Sequence, residues 1–357
     1  MRAGPRTLWD GITLQTKIAA NAQAMKRWLG KAETALGNHS DRLNAINIFP
    51  VADGDTGTNL YLTVRAAAQA LSTSAAPPDA GDAHRPEGPP AQQDVGAVLA
   101  RAGQAAMEQA RGNSGTLFSV FLCAAAEPLM GHARLSSPLL AAALNRAQIR
   151  AWSALSDPVP GTMLSVMEAA ARAAAAVDAD QNGDDSNHAL GLALDAAVTA
   201  ALEAVVLTED QLAALHEAHV VDAGGVGMLL ILDCLRSAVL GEELQSELLD
   251  GLHGYDVQDP HIHADMPDDD GVEVMCTINL SPLDAATLRQ RLDEMGDSVI
   301  MSQVGGAMDG DGTYRWRVHV HVAAAEPAVA LIGSLGEPTE ISVSQLALPR
   351  NPDGNDH

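Results

Sequence analysis

The sequence predicts a multidomain protein, with an all-α N-terminal domain followed by a smaller α/β domain. Three observations lead there. Apolar residues recur every three or four positions through the first 240 residues, the period of helices that bury one face. Beyond residue 272 the period changes to two, in Val272, Val274, Cys276, Ile278 and Leu280 and again in Trp316, Val318, Val320 and Val322. The chain has 357 residues, whereas a single core stops growing at roughly 250–300 residues. Only ten residues are aromatic (three Phe, four Trp and three Tyr), so the core must be built of Ala, Leu, Val and Met, which suits closely packed helices.

From Asp10 to about Leu71, Ile18, Met25, Trp28, Leu29, Ala35 and Leu43 keep helical spacing, interrupted by a Pro- and Gly-bearing stretch at 50–58. This reads as helix, helix, loop, helix. Residues 72–94 are rich in Pro, Ala and acid and lack the apolar content of a core, which reads as a disordered insertion. Helical periodicity returns over 95–110, 116–126, 138–155, 162–177, 189–204 and 212–240, so residues 1–240 form the helical domain. Residues 241–271 are acidic, carry Pro and Gly and show no apolar stripe, as an interdomain linker does. The α/β domain spans 272–348, with helical spacing from Leu283 to Met295 between its strands, and 349–357 form a tail.

A formal net charge of −25, with no Lys/Arg stripe, opposes binding to a polyphosphate backbone and excludes nucleic acid as a partner. The N-terminus has basic residues but no following apolar region, unlike a secretory signal. The longest apolar run, Val226 to Leu240, contains Asp233 and Arg236 and falls short of a membrane span. Three cysteines without paired spacing (Cys123, Cys234 and Cys276) fit a reducing compartment, so a cytoplasmic protein is expected. Cys123 and Cys234 sit within helical apolar patterns and read as core.

The chemistry concentrates in Asn47-Ile-Phe-Pro-Val-Ala-Asp-Gly-Asp-Thr-Gly-Thr-Asn59. Asp53 and Asp55, separated by glycine in a loop, can turn both carboxylates toward one cation, and the glycines let the backbone approach a phosphate. A helix starting near Thr58 would aim unpaired N–H groups at that phosphate. Asp-Gly is also the commonest turn dipeptide, so this motif alone reads first as an acidic turn. Three further Gly-containing polar clusters interrupt apolar helices: Arg111-Gly-Asn-Ser-Gly115, Pro160-Gly-Thr-Met163 and Val221-Asp-Ala-Gly-Gly-Val-Gly227. Each alone would serve as a helix cap. Together, with no P-loop and no G-x-G-x-x-G after a strand, they suggest a nucleotide site assembled from several helix ends.

In order and spacing, VADGDTGTN, ARGNSG, PGTM and VVDAGG resemble the kinase component of bacterial fatty acid kinase, whose N-terminal domain is similar to the nucleotide-binding subunit of dihydroxyacetone kinases. The resemblance implies an eight-helix antiparallel barrel whose loops at one end hold ATP or ADP and two Mg²⁺ ions. It implies Asp53 and Asp55 as catalytic metal ligands, and Thr56, Asn59 and Leu60 as phosphate and base neighbours. Asn113 and Ser114 would contact phosphate, Thr162 and Met163 would line the adenine pocket, and Asp222 and Gly224 would close the ribose side. Ala52 stands where the fatty acid kinase group usually has Pro, and Leu60 where it has Met. Dihydroxyacetone kinases place a third carboxylate shortly before Asp-Gly-Asp, where this chain offers only Asn47, so a second Mg²⁺ would be held less tightly.

His319 and His321 lie two apart on an expected strand and so share a face, and Cys276 lies on an earlier strand. From the residues alone this is either a zinc site or a His-x-His beside an unrelated buried Cys. Cys-Thr at 276–277, Gly-Asp-Ser at 296–298 and Val-His-Val-His at 318–321 resemble the middle domain of the fatty acid kinase component. That resemblance implies a structural Zn²⁺ on Cys276, His319 and His321. The His-Ile-His at 261–263 is expected to bind nothing specific. The resemblance also implies a further C-terminal domain, which is not expected within these 357 residues.

The function implied is an ATP-dependent kinase that phosphorylates a fatty acid, presented in trans by a separate lipid-binding protein, to an acyl phosphate. A homodimer is the candidate assembly. Two alternatives stand beside it: a kinase component for a small polyol such as dihydroxyacetone held by a partner, and a nucleotide-binding regulator without turnover.

Overall fold

The computed structural model describes residues 18–72, 93–255, 271–304, 310 and 312–346. Nearly all of the expected insertion at 72–94, the His-Ile-His at 261–263 and the tail lie outside them.

The first helix, α1 (Ala22–Ala45), opens on Asn21, whose side chain accepts the Ala24 N–H, and buries Met25, Trp28, Leu29, Leu36 and Leu43. The described residues before position 46 hold this one helix, and the start of the stretch expected to hold two, residues 10–17, lies outside them. Gly30 and Gly37 lie within it, and an isolated helical glycine costs only about 1 kcal/mol, less than this buried stripe supplies. Then follow α2 (Thr56–Ser72), α3 (Val95–Gln109), α4 (Gly112–Ala126), α5 (Ser137–Ala154), α6 (Met163–Asp180), α7 (Asn187–Gln211), the short α8 (Ala213–Ala218) and α9 (Ala223–Leu240). From α1 to α7 each helix packs on the next, α7 packs on α9, and α9 returns to α1, so these neighbours close a ring. The closing seam is pinned where Trp28 Nε1–H donates to the Ile231 carbonyl at 2.9 Å and the Ala19 N–H to the Val239 carbonyl at 3.0 Å. Both α7 and α9 are long and apolar enough to cross a membrane, but α9 is buried along its whole length and α7 buries Leu190, Leu194, Val198 and Val205 in the ring.

Gly241, at φ +73°, ends α9 in the left-handed conformation. The stretch read as a linker over 241–271 does not leave the helical domain at once: Leu248, Leu249, Leu252 and Tyr255 are buried in the helical core. Four apolar residues scattered among acids make no periodic stripe, yet each finds its own gap. Residues 256–270 lie outside the described ones.

The second domain is β1 (Val272–Leu280), α10 (Pro282–Asp293), β2 (Gly296–Gln303), β3 (Tyr314–Val322), α11 (Ala325–Gly333) and β4 (Thr339–Gln345). The strands form one antiparallel sheet in the order β2-β3-β1-β4. Its own core joins Val272, Val274, Cys276, Ile278 and Leu280 of β1 and Val318, Val320 and Val322 of β3 to Leu288 and Leu292 of α10 and Leu331 and Ile332 of α11. Alternation puts Glu273, Met275 and Thr277 with Arg317, His319 and His321 on the other face. That face meets the helical domain, since β2 and β3 both pack on α4. Ile300 of β2 belongs to the helical core, and the Ser156 N–H donates to the Val299 carbonyl at 3.1 Å. Arg289 of α10 straps the junction, donating to Ser156 Oγ at 2.9 Å and to the Ser153 carbonyl at 3.1 Å.

Candidate functional site

The Asp-Gly-Asp loop joins α1 to α2. Gly54 adopts φ +64°, a conformation that suits glycine and lets the chain bring the flanking carboxylates together. Asp53 accepts a hydrogen bond from the Asn47 side-chain amide. Burial, then the neighbouring Asp55 charge, pushes the Asp53 carboxyl up to about 8. Asp55 is also raised, by burial first and with the charge of Glu273 adding to it, against hydrogen bonds from Asn59 and Asp53 and the charge of His319. Neither carboxylate has a guanidinium or ammonium among the groups that set its titration. Two buried carboxylates that repel each other, with no Lys or Arg of the described residues against them, fit a divalent cation, with oxygen donors as Mg²⁺ prefers.

At the start of α2 the N–H groups of Gly57, Thr58 and Asn59 are already taken. Asn44 Oδ1 accepts from the Gly57 N–H at 2.8 Å and the Thr58 N–H at 3.1 Å, and the Asn59 N–H donates to the Asp55 carbonyl at 2.8 Å. The expectation of unpaired N–H groups at this helix end is corrected for Gly57 and Thr58, which a residue on the preceding helix already caps. Asn59 instead links two loops. Its side chain bonds Asp55, and its Nδ2 lies 2.3 Å from where a Cβ on Gly112 would stand, with Gly112 at φ +60°. Leu60 is fully buried against Gly227 and belongs to the core rather than to a base-binding wall.

Beside this loop lies a cavity of about 690 Å³ between the two domains. Thr56, Asn113 and Ser114 line one end and Thr162, Met163, Asp222 and Gly224 the other, with Phe49, Leu117, Leu155 and Val159 as apolar wall. Seven residues expected to contact nucleotide thus share one cavity of a size that suits a small organic ligand. Local rules put them there. Thr162 caps α6 and accepts the Leu164 N–H at 3.4 Å, and Asp222 caps α9 and accepts the Gly225 N–H at 2.7 Å, so the polar ends of both helices face the opening. Burial lifts the Asp222 carboxyl to about 7 despite hydrogen bonds from Gly225 and Met163. The sheet domain adds Asp293, Gly296, Asp297, Ser298 and Val299 to the wall. Sequence reasoning missed these, although the Gly-Asp-Ser motif at 296–298 was a signal that could have found them.

The expected zinc set is not brought together. Glu273, His319 and His321 present one ligand atom each within 4.8 Å of one another. Cys276 instead stands opposite Val318 in the register and packs into the sheet domain's core. Burial pushes its thiol up to about 11, so it is neutral there. Parity along an antiparallel pair forces the separation: Met275, not Cys276, is opposite His319. His319 Nδ1 bonds the Ser298 carbonyl at 3.0 Å and Nε2 meets Glu273 Oε1 at 2.9 Å. Burial would raise the Glu273 carboxyl, but the hydrogen bond and charge of His319 outweigh it and hold Glu273 at about 2. Burial, then the His319 charge, lowers His321 to about 3, and its Nδ1 has no hydrogen-bond partner. A neutral imidazole with a free nitrogen beside an ionised carboxylate is a donor set that fits Zn²⁺.

Residues 50–237, more than half of the chain, match the DAK2 domain family, and the chain belongs to it. Residues 271–351 match the FakA-like middle domain family of fatty acid kinases. Two uncharacterised Staphylococcus aureus proteins, from strains RF122 and USA300, are 27% and 26% identical to it over 274 residues, covering 74% of this chain and 46% of each relative. The chain therefore spans about half the length of these curated relatives. Dihydroxyacetone kinase of C. freundii, solved with AMP-PNP and Mg²⁺, is similar at 20% identity and a TM-score of 0.41, covering 66% of this chain and 38% of that one.

Proposed function

We propose that this chain is a nucleotide-dependent phosphotransferase in which Asp53 and Asp55 hold Mg²⁺ at the phosphate end of the inter-domain cavity. The observation that supports it most is the convergence of Thr56, Asn113, Ser114, Thr162, Met163, Asp222 and Gly224 on one cavity beside a carboxylate pair that no Lys or Arg of the described residues neutralises. Phosphoryl transfer asks a protein for positioning and neutralisation of phosphate oxygens, which a carboxylate-held cation supplies. On this reading the nucleotide base lies toward Thr162 and Met163 and the phosphates toward Asn113 and Ser114.

The acceptor we propose is a fatty acid carboxylate, presented in trans by a lipid-binding protein and released as an acyl phosphate. The match to a fatty acid kinase middle domain favours it over a small polyol. Three free cysteines and the use of ATP suit a cytoplasmic site of action. A Zn²⁺ on Glu273, His319 and His321 would brace the sheet against the helical domain.

Turnover of ATP by the full chain, with and without Mg²⁺, tests the reading in three arms: a fatty-acid-loaded acceptor protein, dihydroxyacetone, and no acceptor. Mg²⁺-dependent ADP release with the loaded acceptor alone is expected. Turnover with dihydroxyacetone alone would move the acceptor to small polyols. Tight nucleotide binding without turnover in any arm would make the chain a nucleotide-responsive regulator.

A further inference from the structure

The first turn of α4 has no cap of its own. Arg111 stands at the N-cap without a side-chain hydrogen bond to the helix. The Gly112 N–H instead donates to Glu273 Oε1 at 2.9 Å, from a strand of the other domain 161 residues away. A helix start concentrates unpaired N–H groups and partial positive charge, which favours an anion. The same turn carries Asn113 and Ser114, which line the cavity, and Asn113 Oδ1 is buried without a partner. A carboxylate from the sheet domain therefore rests on the first turn of α4, next to two polar residues of the cavity wall.

We infer that Glu273 is a built-in competitor of the nucleotide: its carboxylate holds the phosphate position on α4, and a nucleoside di- or triphosphate must displace it. The inference rests on that nucleotide reading and adds a regulation to it. Glu273 is also tied onward. Oε2 accepts from Ser344 Oγ of β4 at 2.8 Å, and Oε1 meets His319 Nε2 at 2.9 Å. His319 Nδ1 bonds the carbonyl of Ser298, a cavity-wall residue held at φ +52°. Displacing Glu273 thus disturbs the sheet-domain wall of the same cavity. By reciprocity of linkage, whatever loosens Glu273 from α4 tightens nucleotide, and nucleotide loosens β1 from α4.

The test is a calorimetric titration of ADP into the full chain in EDTA, so that no cation reorganises the carboxylates, with wild type, Glu273→Gln and Glu273→Ala. Amide exchange at residues 112–114 and on β1 is followed in parallel. Glu273→Ala should bind ADP about tenfold tighter, the size expected for removing one charge-assisted hydrogen bond. Glu273→Gln keeps the shape and loses the charge, and should bind several-fold tighter. In wild type, ADP should speed exchange on β1. Unchanged or weaker ADP binding by both variants, with wild type binding normally, overturns this inference alone. No ADP binding by any of the three overturns the nucleotide reading and this inference with it.

Discussion

Cys276 and His319 lie on opposite faces of one strand pair: Cys276 is paired with Val318 and His319 with Met275. A metal on His319 and His321 would therefore take Glu273 rather than the thiol as its third protein ligand. Cys276→Ser should keep bound zinc, whereas Glu273→Ala and His319→Ala should each lose it and melt earlier in the sheet domain, because zinc binds a folded site far more tightly than the unfolded chain. Elemental analysis and calorimetry check this. Loss of zinc in Cys276→Ser with retention in Glu273→Ala would restore the cysteine as ligand.

Asp53 and Asp55 repel each other in a buried loop, so the bare site stores instability that a cation relieves. Asp53→Asn should raise the melting temperature of the metal-free protein while abolishing Mg²⁺-dependent phosphoryl transfer. The pairing of a gain in stability with a loss of turnover is the signature of a functional carboxylate. Thermal melts in EDTA beside a turnover assay would show it, and normal turnover in the variant would remove Asp53 from the site.

Gly112 carries φ +60°, and a Cβ there would stand 2.3 Å from Asn59 Nδ2. Gly112→Ala should cost about 1–3 kcal/mol through left-handed strain and the clash, and should push Asn59 away from Asp55. Both a lower melting temperature and weaker Mg²⁺-nucleotide binding are expected. Gly131→Ala is the control, since it shares a positive φ of +81° but meets nothing within 4 Å, and should change stability alone.

Asp222 titrates near 7 in the folded protein against an ordinary value of 3.8. Well below that ordinary value both states are protonated. As pH rises from there toward 7, the unfolded chain loses the proton while the folded one keeps it, so the Asp222 contribution to stability falls across that window. Asp222→Asn should remove this part of the slope, and the difference between wild-type and variant melting temperatures should shift against wild type as pH rises from about 4 to 7. A difference independent of pH would show that Asp222 ionises normally.

Much of the helical domain was legible because its signal is local. Apolar period set the helices, and Gly-flanked polar clusters marked the ends that line the cavity at Asn113, Ser114, Thr162 and Asp222. What escaped depends on partners far along the chain. Leu60 sits one residue after Asn59, and only the rotation of α2 against α9 decides that it packs on Gly227 rather than lining the cavity. Asn44 caps α2 from 13 residues upstream, beyond the reach of a capping box. Strand register, which separates Cys276 from His319, is fixed by pairing and leaves no mark in either strand. β4 carries only a short alternation, Ile341 and Val343 between polar residues, and all seven of its residues are exposed.

The helix that closes the ring is the last one made. α9 is buried along all 18 of its residues and packs on α1, α2, α6 and α7. Trp28 waits for Ile231, 203 residues later, to satisfy its indole N–H. A ribosome thus extrudes the helices from α1 to α8 with an open apolar seam before the stretch of sequence that fills it appears. Chains halted short of Ala223 leave the Trp28 indole N–H without its Ile231 partner and the seam of α1 open, and should bind chaperones or aggregate, whereas release past Leu240 lets the whole ring form at once.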